Sequence, residues 1–177
     1  MEDLILETNI KLVGLADLTE LCNISRETFK DTFGDDNTDD DMQKYFYTAY
    51  NLEQLKSEME KRGTSFWFLS ADGKLAGYLK INIGHAQSEN VAPNALEIER
   101  IYIYKQYKHH GFGTLFINHA QTIADIADKD KIWLGVWEHN EAAKHFYAKL
   151  GFKQIGDHVF QLGNDEQRDL VMIKSLV

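Results

Sequence analysis

The sequence predicts an α+β (mixed α/β) domain wrapped around one central, mostly antiparallel sheet. Three observations carry that prediction. Asp72-Gly73 joins two apolar runs, a strong hairpin signal that starts an antiparallel sheet. An apolar strand, a helical stretch and a second apolar strand then follow, the pattern of a crossover that sets two strands parallel. Two further strand-like runs close the chain.

Taken in order, Leu4-Ile5-Leu6-Glu7 reads as a short strand. From Leu15 to Phe29, Leu15, Leu18, Leu21, Cys22 and Phe29 recur at near-helical spacing. Gly34-Asp35-Asp36-Asn37 is a turn, and Thr38 is placed to cap a helix whose first turn holds Asp39, Asp40 and Asp41. A further helix is expected over Leu52–Lys61, then strands over Thr64–Ser70, Leu75–Ile83 and Leu96–Tyr104. Gly111–Asp125 reads as a helix with Leu115, Phe116, His119, Ile123 and Ile126 near one face. Ile132–Trp137 is a strand and Glu141–Leu150 a helix, capped by Asn140 and stopped by Gly151. Phe152–Leu162 and Asp169–Leu176 complete the sheet.

At 177 residues the chain is expected to form a single domain, 1–177, large enough for a core without staples. The lone Cys22 permits no internal disulfide and suits a reducing compartment. No apolar run nears the roughly 20 residues of a membrane span, and the first residues lack a signal peptide's basic region. A cytoplasmic protein with no membrane partner is expected. The net charge of −9, from 19 Lys plus Arg and 28 Asp plus Glu, argues against nucleic acid, which needs a positive surface. It is compatible with a cationic substrate.

Two segments carry chemistry. In the first, a strand ending Ile101-Tyr102-Ile103 enters a loop, Lys108-His109-His110-Gly111-Phe112-Gly113-Thr114, whose glycines open a helix. Glycine permits close backbone approach, and a helix N-terminus favours an anion such as a diphosphate. A tight strand-to-helix turn explains the same glycines without a ligand. In the second segment, Asn140 caps a helix carrying Ala143, Phe146 and Tyr147 and ending at Gly151-Phe152. Histidines at 109, 110, 139 and 145 lack metal-ligand spacing, so no metal is expected. Cys22 sits in a helical apolar pattern and is not read as a nucleophile. Trp67, Tyr45 and Tyr47 are read first as packing residues.

Together these segments resemble the GNAT acetyltransferases. Lys108-His109-His110-Gly111-Phe112-Gly113 is similar to the family's Arg/Gln-x-x-Gly-x-Gly/Ala pattern, with Lys for Arg or Gln and His109 where Gly is frequent. Asn140, Ala143, Phe146, Tyr147, Gly151 and Phe152 match its second pattern. The resemblance implies a parallel strand pair that splays apart and acetyl-CoA as co-substrate. The pantetheine arm would lie along Ile101, Tyr102 and Ile103, a strand-addition mode. Residues Lys108, His109, His110, Gly111, Phe112, Gly113 and Thr114 would hold the diphosphate, with Asn140 a further contact. Tyr147 would stand near the sulfur and protonate the leaving thiolate. Glu99 is the first candidate for base, with Glu97 and Glu138 as alternatives; pairing with Arg100 or another cation at the sheet edge is an equally simple role for Glu99.

The run from Thr28 to Met42, with Leu96–Tyr102 and Trp133–Glu138, is similar to bacterial spermidine/spermine acetyltransferases of the PaiA type. The resemblance implies a polyamine acceptor, which Asp35, Asp36, Asp39, Asp40 and Asp41 would attract. Helix capping explains the last three without a ligand. A protein N-terminus, a lysine or another small amine, and a non-catalytic acyl-CoA-binding module, stay open as readings. So does a homodimer.

Overall fold

Seven extended runs pair into one sheet in a computed structural model that describes residues 5–177. They are β1 (Thr8–Leu12), β2 (Thr64–Ala71), β3 (Lys74–Ile83), β4 (Ala95–Ile103), β5 (Lys131–Trp137), β6 (Lys153–Leu162) and β7 (Asp165–Ser175). Their order is β1-β2-β3-β4-β5-β7-β6, and every neighbouring pair is antiparallel except β4 with β5. The β2–β3 hairpin turns at Asp72 (φ 48°) and Gly73 (φ 76°), both left-handed as a type I′ turn requires.

The parallel pair holds only from Ala95 opposite Lys131 to Ile98 opposite Leu134. Two features separate the strands beyond that point. Pairing of β3 with β4 passes from Lys80–Arg100 directly to Ile81–Ile98, so Glu99 is an unpaired bulge residue that bends β4. On the other side β7 pairs with the whole of β5, from Lys131 to Trp137, and keeps it from following.

Helices α1 (Leu18–Phe33), α2 (Asp39–Ala49) and α3 (Leu52–Glu60) cover one face, where Leu21, Ile24, Phe29, Phe46 and Leu55 pack on Phe66, Phe68 and Tyr78. Helices α4 (Phe112–Ile126) and α5 (Glu141–Lys149) cover the other, where Phe112, Phe116, Ala120 and Tyr147 pack on Leu79, Ile98 and Leu134. Thr38 Oγ1 accepts the N–H of Asp41 at 3.1 Å, so the expected cap of α2 is present.

Four local expectations are corrected. The first strand is Thr8–Leu12, while Ile5–Glu7 has no strand structure and Leu4 lies outside the described residues. The buried stripe of α4 is Phe112, Phe116, Ile117, Ala120 and Ala124, whereas Ile126 is 81% exposed; two small alanines mark the true face. Strand β7 begins at Asp165, because Gly163-Asn164 makes a two-residue turn and the polar run 165–168 lies in the peripheral β6–β7 hairpin. Tyr47 is 82% exposed and packs in no core cluster, unlike Tyr45, which stacks on Phe29 at 4.4 Å.

A buried ionic cluster ties α3 to the sheet. Arg100 donates Nη1 and Nη2 to Glu58 at 2.8 and 3.0 Å, a bidentate pair. Lys80 Nζ lies 3.4 Å from Glu58 Oε2 and also contacts Glu99. Burial opposes the charge of Glu58, but the hydrogen bonds and charge of Arg100, with Lys80, outweigh it and hold the carboxyl below its usual range. Removing that carboxylate strands the buried Arg100 and leaves Lys80 with Glu99 alone. Glu58→Ala is therefore expected to cost about 3–5 kcal/mol in urea unfolding. A depressed carboxylate contributes fully above its ordinary pKa of roughly 4.3 and loses that contribution as the pH falls through its folded value. The gap between wild type and variant should accordingly narrow below pH ~4; a gap that stays constant there would remove Glu58 as its source.

Candidate active site

The splay opens a cleft of about 550 Å³ between β4 and β5. Ile98 to Ile103 line one wall, Gly135 to Trp137 the other, with Thr32 and Phe33 of α1 at one end and the α4–α5 face at the other. Tyr104 donates its N–H to Ala76 O at 2.8 Å, toward β3. By strand alternation the amides of Ile103 and Ile101 then point the other way, where β5 has already departed. A bare strand edge thus faces the cleft, ready to bond an extended ligand as an added strand.

The loop after β4 ends at the start of α4. His109 (φ 66°) and Gly111 (φ 78°) are both left-handed. His109 therefore adopts, with a Cβ, the conformation that glycine takes at no cost, a strain of about 1–2 kcal/mol. No side chain caps α4, so the first-turn N–H groups of Phe112, Gly113 and Thr114 are open to an anion. Lys108, His109, Gly111, Phe112 and Gly113 line the cleft; His110 and Thr114 lie beside it without lining it.

The second segment closes the far wall. Asn140 caps α5, its Oδ1 accepting the N–H of Ala143 at 3.2 Å, and it lines the cleft. Tyr147 lines the cleft from the second turn of α5, with Phe146 and Phe152 against its ring at 5.3 and 5.7 Å. Burial pushes its hydroxyl well above the usual phenol range, so it is a protonated donor at neutral pH. A Cβ on Gly113 would lie 2.9 Å from Phe146 Cζ, so this glycine lets α4 and α5 touch. Gly111 is there for its conformation and Gly113 for its size.

The carboxylates separate clearly. Glu99 lines the cleft, held by Lys80 and by Asn82 Nδ2 at 3.3 Å. Its partner is Lys80, not Arg100, which is taken by Glu58. Glu97 is buried behind it and accepts from Asn82 Nδ2 at 2.9 Å and from Ser88 N at 2.7 Å. Burial raises its pKa against those hydrogen bonds. Glu138 pairs with Arg168 at 3.1 Å, outside the cleft. None of Asp35, Asp36, Asp39, Asp40 and Asp41 lines the cleft; Asp40 pairs with Lys44, and Asp41 Oδ1 accepts Asn164 N at 3.1 Å. Cys22 is buried, its Sγ 3.2 Å from Tyr50 O. Among the described residues no cluster of three His, Cys, Asp or Glu could hold a metal, and no helix is long and apolar enough to cross a membrane.

Sequence reasoning assigned no role to Thr32, Phe33, Gly135 or Trp137. All four fall in the runs Thr28–Met42 and Trp133–Glu138 that resemble the polyamine acetyltransferases, but that likeness gave none of them a role; they reach the cleft because α1 and the end of β5 meet there. Phe33 packs on Trp137 at 4.8 Å, which makes that end aromatic.

A bare strand edge, an uncapped helix N-terminus and a buried tyrosine facing one another across a splayed sheet define an acyltransferase domain of the kind that holds an extended thioester. The chain belongs to the acetyltransferase (GNAT) family, whose pattern it matches over residues 18–152. It is an acetyl-CoA-dependent N-acetyltransferase. It is 46% identical over 172 residues to an uncharacterized N-acetyltransferase of Lactobacillus delbrueckii subsp. lactis, covering 96% of this chain and 99% of that one. It is 24% identical over 148 residues to a spermidine N(1)-acetyltransferase of Thermoplasma acidophilum, covering 81% and 87%. The PaiA N-acetyltransferase of the same organism, solved with coenzyme A, superposes with a TM-score of 0.78 at 22% identity, covering 96% of this chain and 99% of that one.

Gly111→Ala should test the phosphate loop. The site is open, with nothing within 4 Å of where the added methyl would sit, so only the left-handed backbone resists. A loss of about 1–2 kcal/mol in stability is expected, with weaker coenzyme A binding by calorimetry. Unchanged affinity would mean that this turn does not shape the anion site.

Proposed function

We propose that the chain transfers the acetyl group of acetyl-CoA directly to a primary amine of a small cationic acceptor, a polyamine such as spermidine or spermine. The observation that carries the transfer is the unpaired edge of Ile101 and Ile103 facing Tyr147 across one cleft. In this reading Ile101, Tyr102 and Ile103 line the pantetheine arm, with the amides of Ile101 and Ile103 bonding it as an added strand. The amides of Lys108 to Thr114 hold the diphosphate, and Asn140 contacts the cofactor beside its capping role. Tyr147 gives its hydroxyl proton to the sulfur as the C–S bond breaks, and Glu99 takes a proton from the attacking nitrogen. The likeness to a spermidine acetyltransferase supports the polyamine, as does the net charge of −9.

One observation favours a second acceptor. Glu99 is the sole carboxylate lining the cleft among the described residues, and Lys80 already pairs with it. An acceptor with a single amine, such as a protein N-terminus or a lysine, needs no further anionic contacts there.

Thiol release from acetyl-CoA, followed with spermidine, spermine, a monoamine and a lysine peptide, separates these readings. Release with polyamines alone supports the first, and release with the monoamine or peptide alone supports the second. Coenzyme A binding without any release would point to an acceptor outside this panel or to a binding module. Tyr147→Phe is expected to lower kcat by about 100-fold or more with coenzyme A affinity unchanged. A full-rate variant would dismiss Tyr147 as the acid.

A further inference from the structure

An acceptor amine arrives as an ammonium ion, because a free alkylamine holds its proton up to a pKa of roughly 10. Two protons must therefore leave the nitrogen, one before attack and one as the C–N bond forms. Glu99 can take one of them. Its fixed contacts with Lys80 and Asn82 leave the route of the other unassigned.

On the far side of β5 from Glu99 lies a group that the acetyl transfer has not yet used. His158 of β6 and Asp169 of β7 are paired in register, and their side chains meet, His158 Nε2 lying 3.4 Å from Asp169 Oδ2. Glu89, in the connection between β3 and β4, lies 2.8 Å from His158 Nδ1 on its other side, a contact off hydrogen-bond geometry that leaves Nδ1 without a hydrogen-bond partner among the described residues. The chain of contacts runs outward: His158 is 24% exposed and Glu89 45% exposed. Its inner end is Gly135, which itself lines the cleft. A Cβ there would lie 3.2 Å from Asp169 Oδ2 and 3.4 Å from His158 Cε1. The missing side chain thus lets Asp169 and His158 pack against the Gly135 backbone. Asp169 Oδ1 is buried with no hydrogen-bond partner among the described residues, leaving acceptor capacity unused.

We propose that Asp169 and His158 form a proton exit, taking the ammonium proton past Gly135 and passing it to Glu89 and solvent. In this proposal bridging water carries the proton from the cleft to Asp169. The balance closes. The first proton leaves by Asp169 and His158, and the freed lone pair forms the C–N bond. The second goes to Glu99, and the C–S pair goes to sulfur, which takes the Tyr147 proton. Glu99 and Tyr147 re-equilibrate with solvent, for a net release of one proton per turnover. Asp169 and His158 do not line the cleft, so they are positioning residues of the transfer and act through what sits at Gly135.

The charge around His158 sets the sign of the pH dependence. Asp169 of β7 raises its pKa most; burial opposes, and Glu89 of the loop and Glu97 of β4 add to the rise. An exit needs a neutral imidazole to accept the proton. Wild-type kcat/KM should therefore climb through a limb lying above pH ~6.5, the ordinary histidine value.

The experiment is kcat/KM against pH, from 6 to 10, for wild type, His158→Gln, Asp169→Asn, Gly135→Ala and Glu99→Gln, with coenzyme A affinity and melting temperature as checks of fold. In His158→Gln this limb should give way to one lying near the acceptor's own pKa of roughly 10, so that kcat/KM at pH 7 falls about 100-fold and the deficit shrinks as the acceptor loses its proton unaided. Gly135→Ala keeps both titrating groups yet crowds them, and should show a similar deficit that is larger at pH 7 than at pH 9.5. Glu99→Gln should keep the limb. A limb that stays at its wild-type pH in His158→Gln, or moves in Glu99→Gln instead, overturns the proposal. The inference rests on the acetyl-transfer reading: a wild type that releases no thiol with any amine sinks both, whereas an active wild type with an unchanged His158→Gln profile sinks the exit alone.

Discussion

The separation of β4 from β5 after Ile98 and Leu134 is the constraint on which the rest depends. Backbone N–H and C=O groups inside a sheet are normally paired, and leaving them unpaired in a buried place is costly. Here the edge of β4 from Glu99 to Ile103 is kept open by the bulge at Glu99 on one side and the full β5–β7 ladder on the other. The sheet therefore holds a gap one strand wide in its middle, with the bonding pattern of a strand and no strand of its own. An extended amide-bearing ligand is the chemistry that satisfies it.

The two ends of that gap are set by different uses of the same residue type. Gly111 turns the chain in a left-handed conformation so that α4 starts with its amides toward the cleft. Gly113, one step into the helix, has ordinary helical geometry and is small because Phe146 occupies the space beside it. That contact fixes α5 against α4, and α5 carries Asn140 and Tyr147. The loop that opens α4 and the tyrosine of α5 are thus one packed unit, so a change at Gly113 would move Tyr147 as well. His109 keeps the left-handed turn without being glycine, which shows that the loop's shape is enforced by its surroundings.

Much of this was legible in the sequence because it is local. Asp72-Gly73, the Thr38 and Asn140 caps and the spacing from Lys108 to Gly113 are signals within a few residues of one another, and each matches the structure. What was missed is long-range or low in contrast. Ala120 and Ala124 mark the buried face of α4, yet they read as neutral beside Leu115 and Ile126. The polar run from Asp165 to Arg168 is strand only because Gly163-Asn164 brings it back along β6. Glu58 and Arg100 are 42 residues apart, and no pattern in either segment announces their pairing. Phe33 and Trp137 likewise meet only after the sheet has formed.

The ionic cluster beneath the acceptor end follows from the same geometry. Glu97 and Glu99, two residues apart, share the Asn82 amide, and the bulge brings Arg100 to the same face opposite Lys80, where it reaches Glu58 of α3. Three carboxylates, Glu58, Glu97 and Glu99, face two cations, Lys80 and Arg100, and when all are ionised the excess is one negative charge. Burial and the Arg100 charge both push Lys80 below its ordinary range, while Glu99 and Glu58 oppose them, so that Lys80 depends on its carboxylates to stay charged. A second cation entering beside Glu99 would compete with Lys80 for the same oxygens. An acceptor that arrives as an ammonium and must leave its proton behind is attracted by the excess charge but gains little by staying ionised there. That balance suits a site that must draw in an ammonium and yet release a neutral amine to the thioester.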